Sequence, residues 1–293
     1  MKANCIVTGR TKIAGLLGNP VEHSVSPQLH NTISMRMGHD IIYVPFKVEK
    51  EDLEKAVDGL RAINVIGFNV TIPYKSKIIK YLDEVSDEAM LIGAVNTVKN
   101  ENGRLLGYNT DAEGFRRSFI GEVGHGFTNK KVAVIGAGGA ARAIAMKVAL
   151  DGAEHIDIVN RTVTKALELS AFITKKTGVP VRALSMSETE EKNILWQNEI
   201  IINTTSLGMY PDTDGCPIDD FSCIRKNHIF YDIIYNPLKT KLLEEAEKQG
   251  CKVINGLGML IYQGIYAYEI WTGSKVPETI KDELFMQLSP SCL

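Results

Sequence analysis

The segment KVAVIGAGGAARA, residues 131–143, decides the fold of the second half of the chain. An apolar strand ends at Gly136, and Gly136, Gly138 and Ala141 take the three positions of the pattern G-x-G-x-x-G/A, where an alanine-rich helix begins. The first glycine makes the tight turn, the second lets the backbone approach a pyrophosphate, and the small third residue lets the helix pack on the strand. The segment therefore predicts a dinucleotide-binding turn; the alternative is a glycine-rich turn without a ligand. The predicted contact residues are Gly136, Ala137, Gly138, Gly139 and Ala140.

The residues after the next strand indicate which dinucleotide is bound. An acidic residue at this position binds the ribose 2′-hydroxyl of NAD. The sequence DIVNRTVTK instead places Asn160, Arg161 and Thr162 there, with Lys165 following. A guanidinium offers a fork of charged donors that suits a 2′-phosphate, so we expect NADP, with NAD the weaker alternative. The competing interpretation is that Arg161 lies in solvent at the strand end.

Strands and helices alternate on both sides of this segment. After it, KVAVIG, HIDIVN, VPVRAL, EIIINTT and HIFYDIIY are predicted strands, with helices between the first four. Before it, the predicted strands are KIAGLLG, IIYVPFKV and VIGFNVTI, followed by a hairpin that turns near Asn102-Gly103. We also predict a helix from an N-cap at Ser26, with Pro27 at N1, to Gly38. This alternation, over 293 residues, predicts an α/β protein of two domains with mainly parallel sheets covered on both faces.

Composition argues against several classes of function. The chain is 44% hydrophobic and 23% charged with a formal net charge of -2, so nothing favours nucleic acid or an anionic membrane as partner. There is no run of eighteen apolar residues, and the N-terminal residues lack the apolar core of a signal peptide. The 5 cysteines and 6 histidines are scattered, without C-x-x-C or H-x-x-x-H spacing, which argues against a disulfide framework or a metal site. We therefore expect a cytoplasmic protein without a metal.

Polar side chains collect where strands of the first half end. In FNVTIPYK, residues 68–75, a strand breaks at Pro73 and Lys75 follows two residues later. Ligands of parallel sheets bind beyond the carboxyl ends of strands, so residues distant in sequence are expected to line one cleft. These residues are Ser24, Ser26, Asn69, Thr71, Lys75, Asn96, Thr97, Asn109 and Asp111. Hydroxyls, amides and one acid–base pair suit a small polyhydroxylated substrate facing a nicotinamide.

Over essentially its whole length the sequence resembles the shikimate dehydrogenase family. Nine motifs follow the family's order: GNPVEHSVSPQLHN, NVTIPYK, GAVNTV, GYNTDAEGF, GAGGAARA, NRT, NTTSLGM, DIIYNP and NGLGMLIYQG. The resemblance implies the reversible, NADP-dependent reduction of 3-dehydroshikimate to shikimate, a step of chorismate and aromatic amino-acid biosynthesis. It also implies that Lys75 handles the hydroxyl proton and that Asp111 pairs with it.

The resemblance further implies the residues that bind the substrate. Ser24 and Ser26 are expected at the substrate carboxylate, with Tyr235 reaching the same side. Asn69 is expected to order the loop and the substrate. Ring hydroxyls are assigned to Thr71, Asn96, Asp111 and Gln263. Three of these residues have structural alternatives: Ser26 as a helix N-cap, Gln263 as the partner of a neighbouring backbone group, and Tyr235 as a core residue.

The cofactor side and the domain organisation follow from the same resemblance. Thr204 and Met209 are expected along the cleft, Ile233 beside the nicotinamide ring and Gly256 near it. The implied domains are a substrate domain at 1–112, a Rossmann-type domain at 113–255, and C-terminal helices at 256–293 that return to the substrate domain.

Two other functions fit parts of the sequence. A quinate/shikimate dehydrogenase that uses NAD shares the fold, and pockets often reject an added hydroxyl only weakly. A dinucleotide-binding sensor without catalysis would share the scaffold but would lack the acid–base pair, whereas Lys75 and Asp111 are both present. The sequence leaves monomer and homodimer both open.

Overall fold

The computed structural model describes residues 7–186 and 194–289, and the chain divides into two compact units. One unit contains the chain up to Thr110 together with Gln263–Leu288, and the other contains Asp111–Tyr262. Each unit has its own six-stranded sheet. The predicted class, two α/β domains with mainly parallel sheets, is confirmed. Of the C-terminal helical segment, Gln263–Leu288 groups with the first unit.

The first unit is built around a mixed sheet. Its strands, in the spatial order β2-β1-β3-β5-β6-β4, are β1 (Lys12–Gly18), β2 (Ile41–Lys47), β3 (Gly67–Val70), β4 (Glu84–Val85), β5 (Thr97–Glu101) and β6 (Arg104–Tyr108). Strand β1 runs parallel to β2 and β3, and β4 runs parallel to β6, whereas β5 is antiparallel to both of its neighbours. All four residues of β3 are buried, and successive side chains point to opposite faces, so both faces of the sheet are covered there.

Helices and short 3₁₀ segments connect these strands. The helices are α1 (Ser26–Met37), α2 (Leu53–Ala62) and α3 (Asp87–Ile92), and the 3₁₀ segments are Lys50–Asp52 and Ile78–Tyr81. The hairpin turns at Asn102 and Gly103, whose φ angles of 55° and 90° are those of a tight two-residue turn.

Two local predictions for the first unit were wrong. Ser26 is the first residue of α1 and not its N-cap; the cap position is Val25, which makes no side-chain capping bond. The helical backbone begins one residue earlier than predicted, since Val25 already has αR dihedral angles (φ -82°, ψ -6°). The strand predicted over VIGFNVTI is confined to Gly67–Val70, because Thr71 already begins the turn that leads to Lys75.

The second unit holds a fully parallel sheet in the order β12-β11-β10-β7-β8-β9. Its strands are β7 (Lys131–Ile135), β8 (His155–Val159), β9 (Val181–Leu184), β10 (Ile200–Asn203), β11 (Ile229–Asp232) and β12 (Lys252–Ile254). The helices are α4 (Thr110–Val123, whose first residue belongs to the first unit), α5 (Gly139–Leu150), α6 (Val163–Thr177) and α7 (Lys241–Lys248), with a 3₁₀ turn at Leu195–Gln197. If the strands are numbered 1 to 6 from β7 and the sheet is read from β9 to β12, the order is 3-2-1-4-5-6, the doubly wound order of dinucleotide-binding folds.

Strand β12 was not predicted, because its three residues are too few for a recognisable alternation. The helix predicted between VPVRAL and EIIINTT falls largely on residues 187–193, outside the described residues.

Two helices end the chain. Helix α8 spans Leu257–Thr272 and ends at Gly273 (φ 70°), and α9 spans Glu278–Leu288; both lie within the segment 256–293 expected to be helical. The part of α8 in the first unit packs tightly: Trp271 donates its Nε1–H to the carbonyl of Val98 at 2.9 Å, and a Cβ on Gly67 would lie 2.3 Å from the indole. Gly67 is therefore required for the helix to reach the sheet.

None of the helices traced in residues 7–186 and 194–289 combines the length and apolar character that crossing a membrane requires.

Candidate active site

The loop that carries Lys75 is anchored on both sides of the lysine. Thr71 donates its backbone N–H to Leu17, at the end of β1, and Tyr74 donates its hydroxyl to the carbonyl of Val48 at 2.6 Å. The carbonyl of Lys75 accepts from Val95 N–H at 2.7 Å. Tyr74 is 1% exposed and Lys75 is half-buried, so the loop buries its tyrosine and leaves the lysine partly accessible.

A buried hydrogen-bond network surrounds Asn69 at the end of β3. Tyr43 donates its hydroxyl to Asn69 Oδ1 at 2.8 Å. The Nδ2 of Asn69 donates to the carbonyl of Asn96 at 3.1 Å and to Thr97 Oγ1 at 3.0 Å. Both amide hydrogens of Asn69 are therefore bound within the protein, which leaves only its oxygen for a further contact.

Asn96 fixes the first residue of α4. Its Oδ1 accepts from the backbone N–H of Thr110 at 2.6 Å, so the amide nitrogen points the other way and donates to Thr110 Oγ1 at 3.0 Å. Within the described part of the chain this leaves the second amide hydrogen of Asn96 without an acceptor. Asp111, the next residue along the chain, lies in the first turn of α4 and is half-buried.

Asn96 and Thr97 reach the same sheet edge as Asn69 because β5 is antiparallel. Asn69 pairs with Thr97, and Thr97 pairs with Tyr108, so the start of β5 lies beside the carboxyl ends of β3 and β6. Part of the set expected at strand ends is thus brought together within the first unit.

Ser24 and Ser26 lie side by side before and at the start of α1. The backbone N–H of Ser26 donates to Ser24 Oγ at 3.2 Å, and both side chains are half-buried. Burial raises the pKa of Tyr43 well above its usual range, with the Ser26 hydroxyl opposing that shift as a hydrogen-bond partner. The two serines therefore adjoin the Asn69 network. Gln263 is also half-buried and belongs to the first unit.

The second unit carries the remaining predicted substrate residues. Asp111 belongs to it, as does Tyr235, whose phenol pKa is raised by burial. Tyr235 is half-buried and follows β11 in the loop that precedes α7.

The turn between β7 and α5 has the geometry that the glycine pattern predicts. Gly136 has φ 113°, and a Cβ there would lie 2.4 Å from Thr204 Oγ1, so only glycine fits. At Gly138 and Gly139 a Cβ would meet no heavy atom within 4 Å. Gly138 is the N-cap of α5 without a side-chain capping bond. The N–H groups of the first turn of α5 therefore face open space, which is the arrangement that binds phosphate groups.

A pocket of about 560 Å³ adjoins this turn. It is lined by Gly136 from the turn, Asn160 and Arg161 after β8, and Thr205, Ser206 and Leu207 after β10. Arg161, Thr162 and Lys165 are all exposed, and the first turn of α6 contains no acidic residue. Arg161 and Lys165 repel each other and the positive end of the α6 helix dipole. A bound anion would compensate this repulsion.

The four other predicted cofactor residues have defined structural surroundings. Thr204 donates its hydroxyl to the carbonyl of Ile135 at 2.7 Å, and Met209 is 46% exposed. A Cβ on Gly256 would lie within bonding distance of the carbonyl oxygen of Ile233, so the two backbones are in direct contact. These contacts are structural, and they position the segments in which the four residues lie.

Several residues that line the pocket were not predicted from the sequence. Thr205, Ser206 and Leu207 lie between the predicted Thr204 and Met209, and they line the pocket more directly. The motif NTTSLGM marked this segment as part of the cleft, but the sequence does not show which of its side chains face the pocket. Met186, Cys216 and Pro217 also line the pocket and carried no recognisable pattern.

Comparisons with known proteins agree with this arrangement. The family model described as "Shikimate dehydrogenase substrate binding domain" matches residues 16–98. "Shikimate / quinate 5-dehydrogenase" matches residues 121–210, and "Shikimate 5'-dehydrogenase C-terminal domain" matches residues 256–280.

Three proteins illustrate the similarity. A relative from Methanocaldococcus jannaschii, named shikimate dehydrogenase (NADP(+)), is 46% identical over 272 residues, covering 92% of this chain and 94% of its own. A crystal structure of a shikimate dehydrogenase in complex with NADP+ is 43% identical with a TM-score of 0.88, covering 97% of this chain and 98% of its own. The Listeria monocytogenes shikimate 5-dehydrogenase in complex with shikimate and NAD is 40% identical with a TM-score of 0.90, covering 95% and 98% of the two chains. The nine motifs, the doubly wound sheet and these matches establish that the chain belongs to the shikimate dehydrogenase family.

Proposed function

We propose that this protein is an NADP-dependent shikimate dehydrogenase, which reversibly reduces 3-dehydroshikimate to shikimate in aromatic amino-acid biosynthesis. The observation that carries the cofactor assignment is the pair of exposed cations, Arg161 and Lys165, at a helix N-terminus without an acidic residue. The curated relatives at 40–46% identity that carry the name shikimate dehydrogenase (NADP(+)) support the same assignment.

The second unit fits NADP on the evidence of its own geometry. The open space above Gly138 and Gly139 admits a pyrophosphate beside the first turn of α5. Arg161 lines the adjoining pocket and supplies charged donors for a 2′-phosphate. NADPH, when bound, supplies the hydride for the ketone of the substrate. We assign Asn160, Thr162, Lys165, Thr204, Met209, Ile233 and Gly256 as further contacts.

The residues of the chain then bind the substrate and move one proton. Ser24 and Ser26 hold the carboxylate, with Tyr235 on the same side. The free amide hydrogen of Asn96, the Thr71 hydroxyl and Gln263 take ring hydroxyls, and Asn69 orients Asn96 and Thr97. In the reducing direction Lys75 donates its proton to the oxygen of the former ketone, and Asp111 holds the ammonium in place. In the oxidising direction Lys75 takes the proton back.

Four initial rates test this function: shikimate or quinate, each with NADP or NAD, followed by the absorbance of the reduced cofactor. We expect the highest kcat/KM for shikimate with NADP, because Arg161 favours a 2′-phosphate. Comparable turnover of quinate with NAD would contradict the cofactor assignment while leaving the fold and the role of Lys75 in place.

Location, assembly and domain roles are further proposals. The thiols of Cys216, Cys223 and Cys251 are free, which is consistent with the reducing cytoplasm. We propose a cytoplasmic monomer or homodimer, tested by cell fractionation and by light scattering on the purified chain. We also propose that residues 1–112, 113–255 and 256–293 form the substrate domain, the cofactor domain and the returning helices.

A further inference from the structure

Asp232, the last residue of β11, is a buried carboxylate to which the proposed mechanism gives no role. It is 0% exposed and forms no ion pair with any described residue. Its three hydrogen-bond donors are neutral: Asn203 Nδ2 at 3.0 Å, Thr240 Oγ1 at 2.8 Å and the backbone N–H of Ile234 at 3.1 Å. Burial raises the pKa of Asp232 to about 6. A buried charge without a cation is unfavourable for folding, so the fold alone does not call for a carboxylate here.

One arm of the Asp232 network leads to the wall of the cofactor pocket. Asn203 lies beside Asp232 on the adjacent strand β10. Its Oδ1 accepts from the backbone N–H of Thr205 at 3.0 Å and from the Thr205 hydroxyl at 2.8 Å. A backbone N–H can only donate, so the amide orientation of Asn203 is determined, and its nitrogen must point to Asp232. Asp232 therefore holds Thr205, which lines the pocket.

The other arm holds the loop between β11 and α7. Oδ1 of Asp232 binds the N–H of Ile234 near the start of that loop, and Oδ2 binds Thr240 at its end. The carbonyl of Ile234 accepts from Gly256 N–H at 2.9 Å, which brings the Gly256 backbone against Ile233. Both ends of the loop that carries Ile233 are thus held by one carboxylate.

We propose that Asp232 is the positioning residue of the cofactor site, because its carboxylate sets the distance between the loops 204–209 and 233–240. The inference rests on the proposed function, since these two loops carry Thr204, Met209, Ile233 and Tyr235. A carboxylate suits this place because it is acceptor-only and meets donors on all sides. Each of its three bonds is also charge-assisted, which makes them shorter and stronger than bonds between neutral groups.

The test is direct titration of the purified chain with NADPH alone, followed by cofactor fluorescence, for wild type and three variants. Asp232→Ala removes all three bonds, and we expect its Kd for NADPH to rise at least tenfold. Asp232→Asn retains an oxygen for Asn203 and Ile234, and we expect a rise of less than threefold, a rescue that a general loss of stability would not produce. Thr240→Val removes one donor and keeps the shape of the side chain; we expect a rise of about threefold.

The matched control is Asp157→Asn. Asp157 is also buried, at 1% exposure, in the same sheet, but its partners are Arg182, Asn198 and His155, away from the pocket. This variant should lower the melting temperature and leave the Kd for NADPH unchanged. An Asp232→Ala protein that binds NADPH like wild type would overturn the inference; if that variant does not fold, an unchanged Kd for Thr240→Val would overturn it. Turnover of shikimate by the wild-type protein is measured separately and tests the proposed function. A failure of the Asp232 inference can therefore be distinguished from a failure of the proposed function.

Discussion

At the scale of single residues, the neighbours of Lys75 fix the backbone that presents its side chain. Tyr74 buries its ring and binds Val48, while the carbonyl of Lys75 is held by Val95. The backbone of the loop is thereby fixed on both sides of a half-buried lysine. A side chain placed in this way can move a proton without a change in the loop, which is what preorganised acid–base catalysis requires.

Replacing Lys75 separates proton transfer from binding. We expect Lys75→Met to lower kcat by about 10³-fold, within the range typical of a general acid or base, while the Kd for NADPH changes less than twofold. Lys77→Met is the matched control, because Lys77 is an exposed lysine of the same segment. Initial rates and NADPH titration make the measurement. A Lys75→Met enzyme that retains a tenth of the wild-type kcat would contradict the assignment.

We propose Arg161 as the residue that distinguishes NADP from NAD. We expect Arg161→Gln to raise the KM for NADP by about tenfold, equivalent to ~1.4 kcal/mol, and to change the KM for NAD less than twofold, because NAD lacks the 2′-phosphate. Lys176→Gln, an exposed change in the last turn of the same helix, should change neither value. An equal rise in KM for NADP and for NAD would show that Arg161 contacts a part of the dinucleotide that both cofactors share.

At the scale of elements, two glycines of the turn between β7 and α5 differ in conformation and surroundings. Gly136 is required by the fold, because its φ is 113° and its missing Cβ makes room for Thr204. Gly138 has φ -88° and open space above it, so the fold tolerates a larger residue there. The same motif therefore combines a conformational requirement at Gly136 with the ligand requirement that we propose for Gly138.

Alanine at each position distinguishes the two requirements. We expect Gly136→Ala to lower the free energy of unfolding by roughly 1–3 kcal/mol, from backbone strain and the clash with Thr204. Gly138→Ala should leave the stability within ~0.5 kcal/mol of wild type but weaken NADPH binding, because the methyl group occupies space that the pyrophosphate needs. Denaturant unfolding and NADPH titration measure the two effects. Identical behaviour of the two variants would show that the distinction is wrong.

At the scale of the whole molecule, a buried imidazole makes stability depend on pH. His30 is 1% exposed, stacks on Tyr43 with ring centroids 4.3 Å apart, and has no hydrogen bond at either ring nitrogen among the described residues. Burial lowers its pKa from 6.5 to about 3. In the unfolded chain the His30 imidazole therefore binds a proton as the pH falls through about 6.5, whereas in the folded protein it stays neutral down to about pH 3. The stability that His30 contributes is complete above about pH 6.5 and is lost progressively as the pH falls to about 3.

Between pH 6.5 and pH 5 we expect His30 to lower the free energy of unfolding by about 2 kcal/mol, since each pH unit in this window contributes ~1.4 kcal/mol. The chain has 2 tryptophans, one in each unit, so in a Trp196→Phe background the fluorescence of Trp271 reports the first unit alone. We expect His30→Leu to remove this part of the pH dependence and His23→Leu, at an exposed histidine, to retain it. A wild-type slope in His30→Leu would assign the acid sensitivity to other groups.

Local chemistry made much of the fold predictable. The turn after β7, the hairpin at Asn102-Gly103 and the end of α8 at Gly273 each depend on a backbone conformation that few residues adopt, and so each is readable from neighbouring letters. Strand β12 and the short extent of β3 were not, because three or four residues contain too little pattern. The antiparallel direction of β5, which brings Asn96 and Thr97 to the edge beside Asn69, is a property of strand pairing.

The sequence by itself determined the family, the two α/β domains and the NADP cofactor, because motifs of fixed spacing encode local turns and their chemistry. It also predicted the residues for proton transfer and binding. Only the tertiary structure showed which hydrogen-bond donors and acceptors are already used within the protein. It showed that Asn69 uses both amide hydrogens inside the protein, that Thr205 to Leu207 line the pocket, and that one buried carboxylate, Asp232, holds two loops. Hydrogen bonds between residues far apart in the chain depend on strand register and burial, which no short stretch of sequence contains.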